Sequence, residues 1–509
     1  MALILLQPLA MREHVEQLKA LFEPSSIAVV GASAHPGKVG YNVLYNLVEN
    51  KRMGVLKAEI YPVNPKAECL LGLPCYPRLR DVPGPADLVV IVVPAKLVPD
   101  VMRDAARVDA RAAIIISSGF SEVGNHALEE QVARIGRDAG IRILGPNCVG
   151  VYDPYTGVDT VFLPRTKVLE TGEEVESSPK PPKGSISMIT QSGAFGVSAL
   201  DYMAGHNMGV SKFVSLGNKC DVDETDMLEL MAVDERTKVV LLYIEDVKDG
   251  RRFMEVAGAT TCDKPVVVLK AGWSSAGARA VKSHTGALAG SDAIYDAAFR
   301  QAGVLRARTM AEFFSMGKAL ALQPPAEGPN VAIITDAGGP GIMTVDACEA
   351  RGLVVPEFSE ATKAKLKRLA QEGRIPPFAA ISNPVDLTVS VTADMYVEAV
   401  RVALEDPDIH GVIVLALHHP PALSAGFVDK LAELARGARK PVVACDIGEA
   451  RMAELVRRRL DELGVPAFET PEDAAAAMAA LAAYGRVLKR AGKSTGDREG
   501  GSGSPAPKT

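Results

Sequence analysis

Short runs of β-branched and aliphatic residues recur along the chain, each closed by glycine, proline or serine. They read SIAVVGAS, ADLVVIVVP, AAIIISSG, ISMITQSG, KVVLLYIE, KPVVVLKAG, NVAIITDAGG, HGVIVLAL and KPVVACDIG. The stretches between them carry the spacing of amphipathic helices. Runs that are apolar at nearly every position, instead of at alternate ones, predict strands covered on both faces, hence parallel sheets in α/β layers. Two breaks interrupt the pattern: RTKVLETGEEVESSPKPPK at 165–183 and QPPAEGP at 323–329. Both read as linkers or exposed excursions. The closing AGKSTGDREGGSGSPAPKT cannot build a core and is expected to be a disordered tail over 491–509. The expected organisation is therefore a first block at 1–164, a linker at 165–183, and further blocks at 184–322 and 328–490.

The second and third blocks repeat one another. SISMITQSGAFG parallels NVAIITDAGGPG, with Thr190 over Thr335 and Gly193 over Gly338; KVVLLYIED parallels GVIVLALHH, and KPVVVLKAG parallels KPVVACDIG. The strands and the glycine turn recur together, which predicts two copies of one flavodoxin-like unit. After the last of these runs the first copy continues into KSHTGALAG, 282–290, whereas the second continues into EARMAEL with no histidine.

Composition narrows the classes of function. The chain has 509 residues, 48% hydrophobic and 23% charged, with a formal net charge of −6. An acidic balance argues against nucleic acid, whose phosphates call for a basic surface. No apolar run approaches the roughly 18–20 residues that span a bilayer. The opening MALILLQPLA lacks a basic flank and is broken by Gln7 and Pro8, so no secretion signal is expected. Seven scattered cysteines without a CxxC pair fit reduced thiols in a cytoplasm, and no metal site is predicted.

The candidate chemistry gathers at strand ends, where open α/β sheets bind ligands. Gly31-Ala32-Ser33 and Gly37-Lys38 form a glycine turn leading into a helix, whose amino end offers free N–H groups to a phosphate. The next strand ends in Asn64-Pro65-Lys66, a cation where a NAD site would place an acid. Val93-Pro94-Ala95 and Ser118-Gly119 close two further strands. Asn147 closes another, either holding a ligand or capping its own loop. Ser192-Gly193-Ala194 and Gly338-Gly339-Pro340-Gly341 each set a helix amino end at a sheet edge, an arrangement suited to anions. Glu245, with Asp246 as the alternative, is an acid at the end of an otherwise apolar strand, where a carboxylate can orient an imidazole. His284 has no second ligand at metal spacing and no G-x-S-x-G elbow, so a nucleophilic imidazole carrying a phosphoryl group is the chemistry that suits it best.

Taken in order, SIAVVGAS…PGKVG, YPVNPK, GPNCVG, TQSGAFG, SLGNKCDVDETD and KAGWSSAGARAVKSHTGALAG resemble the α subunit of the ADP-forming acyl-CoA synthetases, in the succinyl-CoA synthetase superfamily, over about residues 20–490. The resemblance implies a Rossmann-like CoA-binding domain followed by two flavodoxin-like ligase domains. It also implies three steps. Acyl-CoA and phosphate give acyl phosphate and CoA; the acyl phosphate phosphorylates His284, steadied by Glu245; the phosphohistidine then makes ATP from ADP. Gly31, Ala32, Ser33, Lys38, Asn64, Lys66, Pro94 and Ala95 are implied near the coenzyme, and the two repeated helix ends near the phosphate. The family's ATP-grasp pattern is not found in this chain. A separate ATP-grasp β subunit holding ADP or ATP with Mg2+ is therefore implied, as α2β2, with a small carboxylic acid as substrate and a cytoplasmic location. The competing readings are a CoA-responsive regulator with an inactive ligase half and a NAD-dependent oxidoreductase; the His284–Glu245 pair disfavours the first and Lys66 the second.

Overall fold

The structure is a computed structural model and describes residues 9–285 and 291–493. It divides at Arg306 and Ala307 into two compact units. The first unit holds a five-stranded sheet of β1 (Ser26–Val30), β2 (Glu59–Val63), β3 (Leu88–Ile91), β4 (Ala112–Ile115) and β5 (Arg142–Leu144). These strands are all parallel, in the order β2-β1-β3-β4-β5. Every position of β1, β3 and β4 is buried, which is why their apolar runs do not alternate.

A seven-stranded sheet follows, in the same unit up to Arg306. It comprises β6 (Val151–Asp153), β7 (Val158–Asp159), β8 (Lys183–Thr190), β9 (Val210–Ser215), β10 (Val239–Ile244), β11 (Val266–Lys270) and β12 (Leu305–Ala307). The order is β12-β11-β10-β8-β9-β6-β7. Strands β8 to β11 pair in parallel, whereas β6 runs antiparallel to β9 and β7 antiparallel to β6. The sequence boundary at 164 puts β6 and β7 in the first block, yet they pair into this second sheet. The expected linker at 165–183 contains an exposed antiparallel hairpin, Thr166–Val168 with Glu174–Glu176, and its last residue begins β8. One apolar cluster runs from Ile27 and Val90 through Leu144 and Val151 to Ile189 and Val240, so both sheets share a core.

The second unit carries β13 (Val331–Thr335), β14 (Val385–Asp386), β15 (Gly411–Leu415), β16 (Val442–Cys445) and β17 (Ala467–Phe468). They are parallel, in the order β14-β13-β15-β16-β17. The helix Met310–Leu322, expected to close the middle block, falls in this unit. The first and third sheets thus share a 2-1-3-4-5 order, and the parallel strands β8 to β11 follow the same 2-1-3-4 order. That order opens a crevice between the carboxyl ends of the first and third strands. Among the described residues no helix is long and apolar enough to cross a membrane.

Candidate active site

The first crevice opens between β1 and β3. Gly31 has φ +94°, and a Cβ there would lie 3.0 Å from Val92, so the turn needs a glycine. At Gly40, in the first turn of α1 (Val39–Arg52), a Cβ would meet the Gly31 carbonyl oxygen at 2.0 Å; the helix start is pressed onto the turn. Ala32 and Ser33 are buried, and Ser33 Oγ accepts a bond from His35 N. Asn64 donates from Nδ2 to Ala32 O at 2.7 Å and accepts from Lys66 N at 2.8 Å, tying the end of β2 to the turn. Gly37, Lys38 and Lys66 are exposed, and Lys38 stands at the amino end of α1 without a side-chain cap.

The second crevice opens between β8 and β10. Ser192 caps α2 (Gly193–Gly205), its Oγ accepting from Phe195 N at 3.3 Å. A Cβ at Gly193 would meet Val149 Cγ2 at 2.8 Å, so any larger residue there makes Val149 move. Glu245 directly follows β10 and is 7% exposed. Its carboxylate meets the Tyr243 hydroxyl; burial first, then the Glu245 charge, pushes that phenol up to about 12. The Tyr243 ring stacks on Phe195 of α2 at 4.3 Å.

One cavity of about 1020 Å³ joins the two crevices. Val93, Pro94, Ser118 and Asn147 line it from the first sheet, and Ser192, Gly193, Ala194 and Glu245 from the second. Gly31, Ala32, Ser33, Gly37, Lys38, Asn64, Lys66, Ala95 and Gly119 do not line it, although Gly31 backs onto Val92, which does. Asn147 neither caps its loop nor stands free: at φ +57° its Nδ2 reaches Asn218 Oδ1 at 3.3 Å. Gly119 N donates to Glu122 Oε1 at 2.5 Å. Burial raises the Glu122 carboxyl, but the amides of Gly119 and Phe120 and the Asn218 side chain carry it below its ordinary value.

Sequence reasoning passed over a second set of residues beneath Glu245. Gln191 Oε1 accepts from Glu245 N at 2.6 Å and Asp246 N at 3.1 Å. Its Nε2 donates to Asp246 O at 2.7 Å and to Glu224 Oε2 at 3.1 Å. Glu224 opens α3 (Glu224–Val233) and is fully buried. Lys219 is 5% exposed with φ +57°. Its Nζ donates to Glu224 Oε2 at 3.0 Å, Asp246 Oδ1 at 3.0 Å and Asp246 O at 3.1 Å. Burial alone would lower the Lys219 ammonium, but Glu224 and Asp246 outweigh it and raise its pKa. The signal in the sequence was a lone lysine before an acid-rich helix start, KCDVDETD.

His284 lies in α4 (Ser275–Thr285), which follows β11. Its side chain, and residues 286–290 of the same motif, fall outside the described residues, as does the tail from 494 onward. His14, Asp226 and Glu229 come within ligand spacing of one another. Arg142 and Arg252 already occupy those carboxylates, at 2.6–3.0 Å, which makes the group an ion-pair network. In the second unit, α5 (Gly338–Glu349) starts with Gly338 and Gly339 exposed and Gly341 buried. Asp386 Oδ2 lies 3.0 Å from where a Gly338 Cβ would stand. That unit also has a surface cavity of about 1090 Å³ between mixed charges such as Arg374, Glu398, Lys430 and Glu433; it holds none of the predicted residues.

Comparison with known proteins gives this arrangement its context. Residues 25–154 match the CoA binding domain, 183–320 the succinyl-CoA ligase like flavodoxin domain, and 331–493 the ligase-CoA domain. The α subunit of acetate–CoA ligase [ADP-forming] I from Pyrococcus furiosus is 41% identical over 474 residues, 91% of this chain and 97% of that protein. The chain belongs to the ADP-forming acyl-CoA synthetases. A Nitrosopumilus maritimus member, 4-hydroxybutyrate–CoA ligase [ADP-forming], is 32% identical over 92% of this chain and 64% of its own length. Among solved synthetases, acetyl-coenzyme A synthetase 1 of Ca. Korarchaeum cryptofilum, in complex with phosphate and ADP, superposes with a TM-score of 0.84. It is 35% identical, and the match covers 93% of this chain and 98% of that one. The synthetase fold accounts for the three repeated sheets.

Proposed function

We propose that this chain is the synthetase subunit that binds the coenzyme and carries the phosphorylated histidine. In this role it interconverts acyl-CoA, ADP and phosphate with a small carboxylic acid, CoA and ATP. One observation carries the reading: a single cavity sets the coenzyme-side strand ends Val93, Pro94, Ser118 and Asn147 within the same walls as the α2 amino end and Glu245. Exposed Lys38 and Lys66 beside the glycine turn suit the coenzyme's phosphates and diphosphate.

Phosphate held at Gly193 and Ala194 attacks the acyl carbonyl, and the C–S bond breaks to release CoA as thiolate. A ring nitrogen of His284 then attacks phosphorus, the P–O bond to the acyl group breaks, and the carboxylate leaves. Glu245 accepts the other ring N–H, fixes the tautomer and stabilises the cationic ring. The α2 N–H groups stabilise the transferring phosphoryl group. Phosphoryl transfer to ADP, with Mg2+, belongs to a partner subunit of ATP-grasp type in an α2β2 assembly. The names of the Pyrococcus relatives, which are α subunits, support that assignment. The regulator reading fits less well, because a regulator has no use for a Glu245 set so firmly at a strand end.

The test is acid-labile phosphate on this chain, after incubation with the partner subunit, carboxylic acid, CoA and Mg-ATP. Label on the native chain and none on His284→Ala is expected. Equal label on His284→Ala would overturn the proposal.

A further inference from the structure

The acid at the end of β10 does not hold its own position. Glu245 and Asp246 form the exit of a strand into a loop, and that exit is fixed by two side chains from elsewhere in the sequence. Gln191 takes both backbone N–H groups and returns a bond to the Asp246 carbonyl. Lys219 spends all three ammonium hydrogens inside the protein, two of them on the carbonyl and carboxylate of Asp246 and one on Glu224. Lys248 Nζ in turn donates to the Lys219 carbonyl at 2.6 Å, closing the ring from the far side of the loop. Lys219, Gln191, Asp246 and Lys248 all line the same cavity as Glu245.

A lysine costs a great deal to bury, more so at a backbone angle most residues avoid. Counterbalancing Glu224 is not a sufficient reason for it. Only one oxygen of that carboxylate is engaged, and Oε1 has no hydrogen-bond partner. Two of the three Lys219 bonds go to Asp246, the residue after Glu245.

We infer that Lys219 is a positioning residue for the phosphoryl-transfer step: through Asp246 it sets the strand end that aims the Glu245 carboxylate into the cavity. This inference rests on the proposed role of Glu245 toward His284. A displacement of about 1 Å at such a group costs about 100-fold in rate. The side-chain hydrogen bonds of Lys219 go to Glu224 and Asp246 and to no residue assigned to the coenzyme, so its loss is expected in kcat, with KM for CoA left alone.

The experiment compares the native chain, Lys219→Met and Lys219→Met/Glu224→Gln, each assembled with the partner subunit. The double variant removes both buried charges and keeps the bond that Gln191 donates. It therefore carries the test even if the single variant fails to fold. Both are expected to lose about 100-fold in kcat and in the rate of phosphate labelling, with KM for CoA within about twofold. Recovery of near-native kcat in the double variant would reduce Lys219 to a counter-charge and overturn the inference. A rise in KM for CoA at native kcat would make it a coenzyme contact, with the same result. A native chain that takes no label on His284 would overturn the proposed function itself, and this inference with it.

Discussion

The middle sheet and the sheet of the second unit are the same backbone device with different polar furniture. Strand register aligns them residue by residue: Thr190 pairs with Tyr243 in one, and Thr335 with Leu415 in the other. Gln191 therefore corresponds to Asp336, Glu245 to Leu417, Asp246 to His418 and Lys270 to Asp446, one residue out from the plain match of KVVLLYIED with GVIVLALHH. In the first copy an amide, Gln191, accepts the two N–H groups at the strand exit; in the second a carboxylate, Asp336, accepts Leu417 N at 3.1 Å. The acid that faces the cavity in the first copy is a leucine in the second. Where the first has Lys270, the second has Asp446, 1% exposed and bonded to His418 Nδ1 at 2.9 Å. The amino end of α2 points at open cavity, whereas that of α5 already faces Asp386. Duplicating a fold does not duplicate its chemistry; four side chains at a sheet edge suffice to move its charges to different strand ends.

The comparison can be broken or sharpened in descending order of effect. His284→Ala should lower phosphate labelling of the chain by about 10³-fold or more, as for loss of a nucleophile. His418→Ala should leave the label in place, and a matching loss there would erase the contrast between the copies. Glu245→Gln keeps the hydrogen-bonding shape but not the charge, and should slow labelling by about 100-fold. The third effect concerns stability. Burial, reinforced by Asp446 and Asp386, raises the Asp336 carboxyl to about 7. The folded state then holds a proton that the unfolded chain releases near pH 4. Stability of the second unit is fully present below about pH 4 and falls as pH rises toward 7, by about 2–4 kcal/mol in all. Asp336→Asn removes that slope, so calorimetry should find a gain in Tm at pH 8 that is much smaller at pH 5. Last come the two helix starts. Gly193→Ala should cost about 1–2 kcal/mol in urea denaturation because Val149 must move. Gly339→Ala, with nothing within 4 Å of the added carbon, should be neutral or stabilising by about 0.5 kcal/mol.

The layered α/β architecture was legible because buried parallel strands write themselves as unbroken apolar runs, and the strand ends Val93, Ser118, Ser192 and Glu245 followed from that. Gln191, Lys219 and Glu224 were not legible. Gln191 finds its partners 33 to 55 positions away and Lys219 reaches Asp246 across 27, and a lysine in a polar loop looks the same whether it is solvated or sealed. The positive φ of Lys219 and of Asn147 has no signature in a residue that is not glycine. The block boundary at 164 misplaced β6 and β7 because strands of three and two residues carry too little pattern to declare their sheet. Asp386 at the mouth of α5 comes from 48 positions downstream, beyond the reach of any local rule.

The enlistment of β6 and β7 at the margin of the second sheet has one more consequence. The polypeptide that completes the coenzyme lobe also supplies the outer border of its neighbour, beneath a common apolar floor. The pair cannot be parted at the Thr166–Glu176 hairpin without tearing two strands from a sheet. The first sheet of this chain should therefore be expressed and grafted only together with the second, as a single cassette.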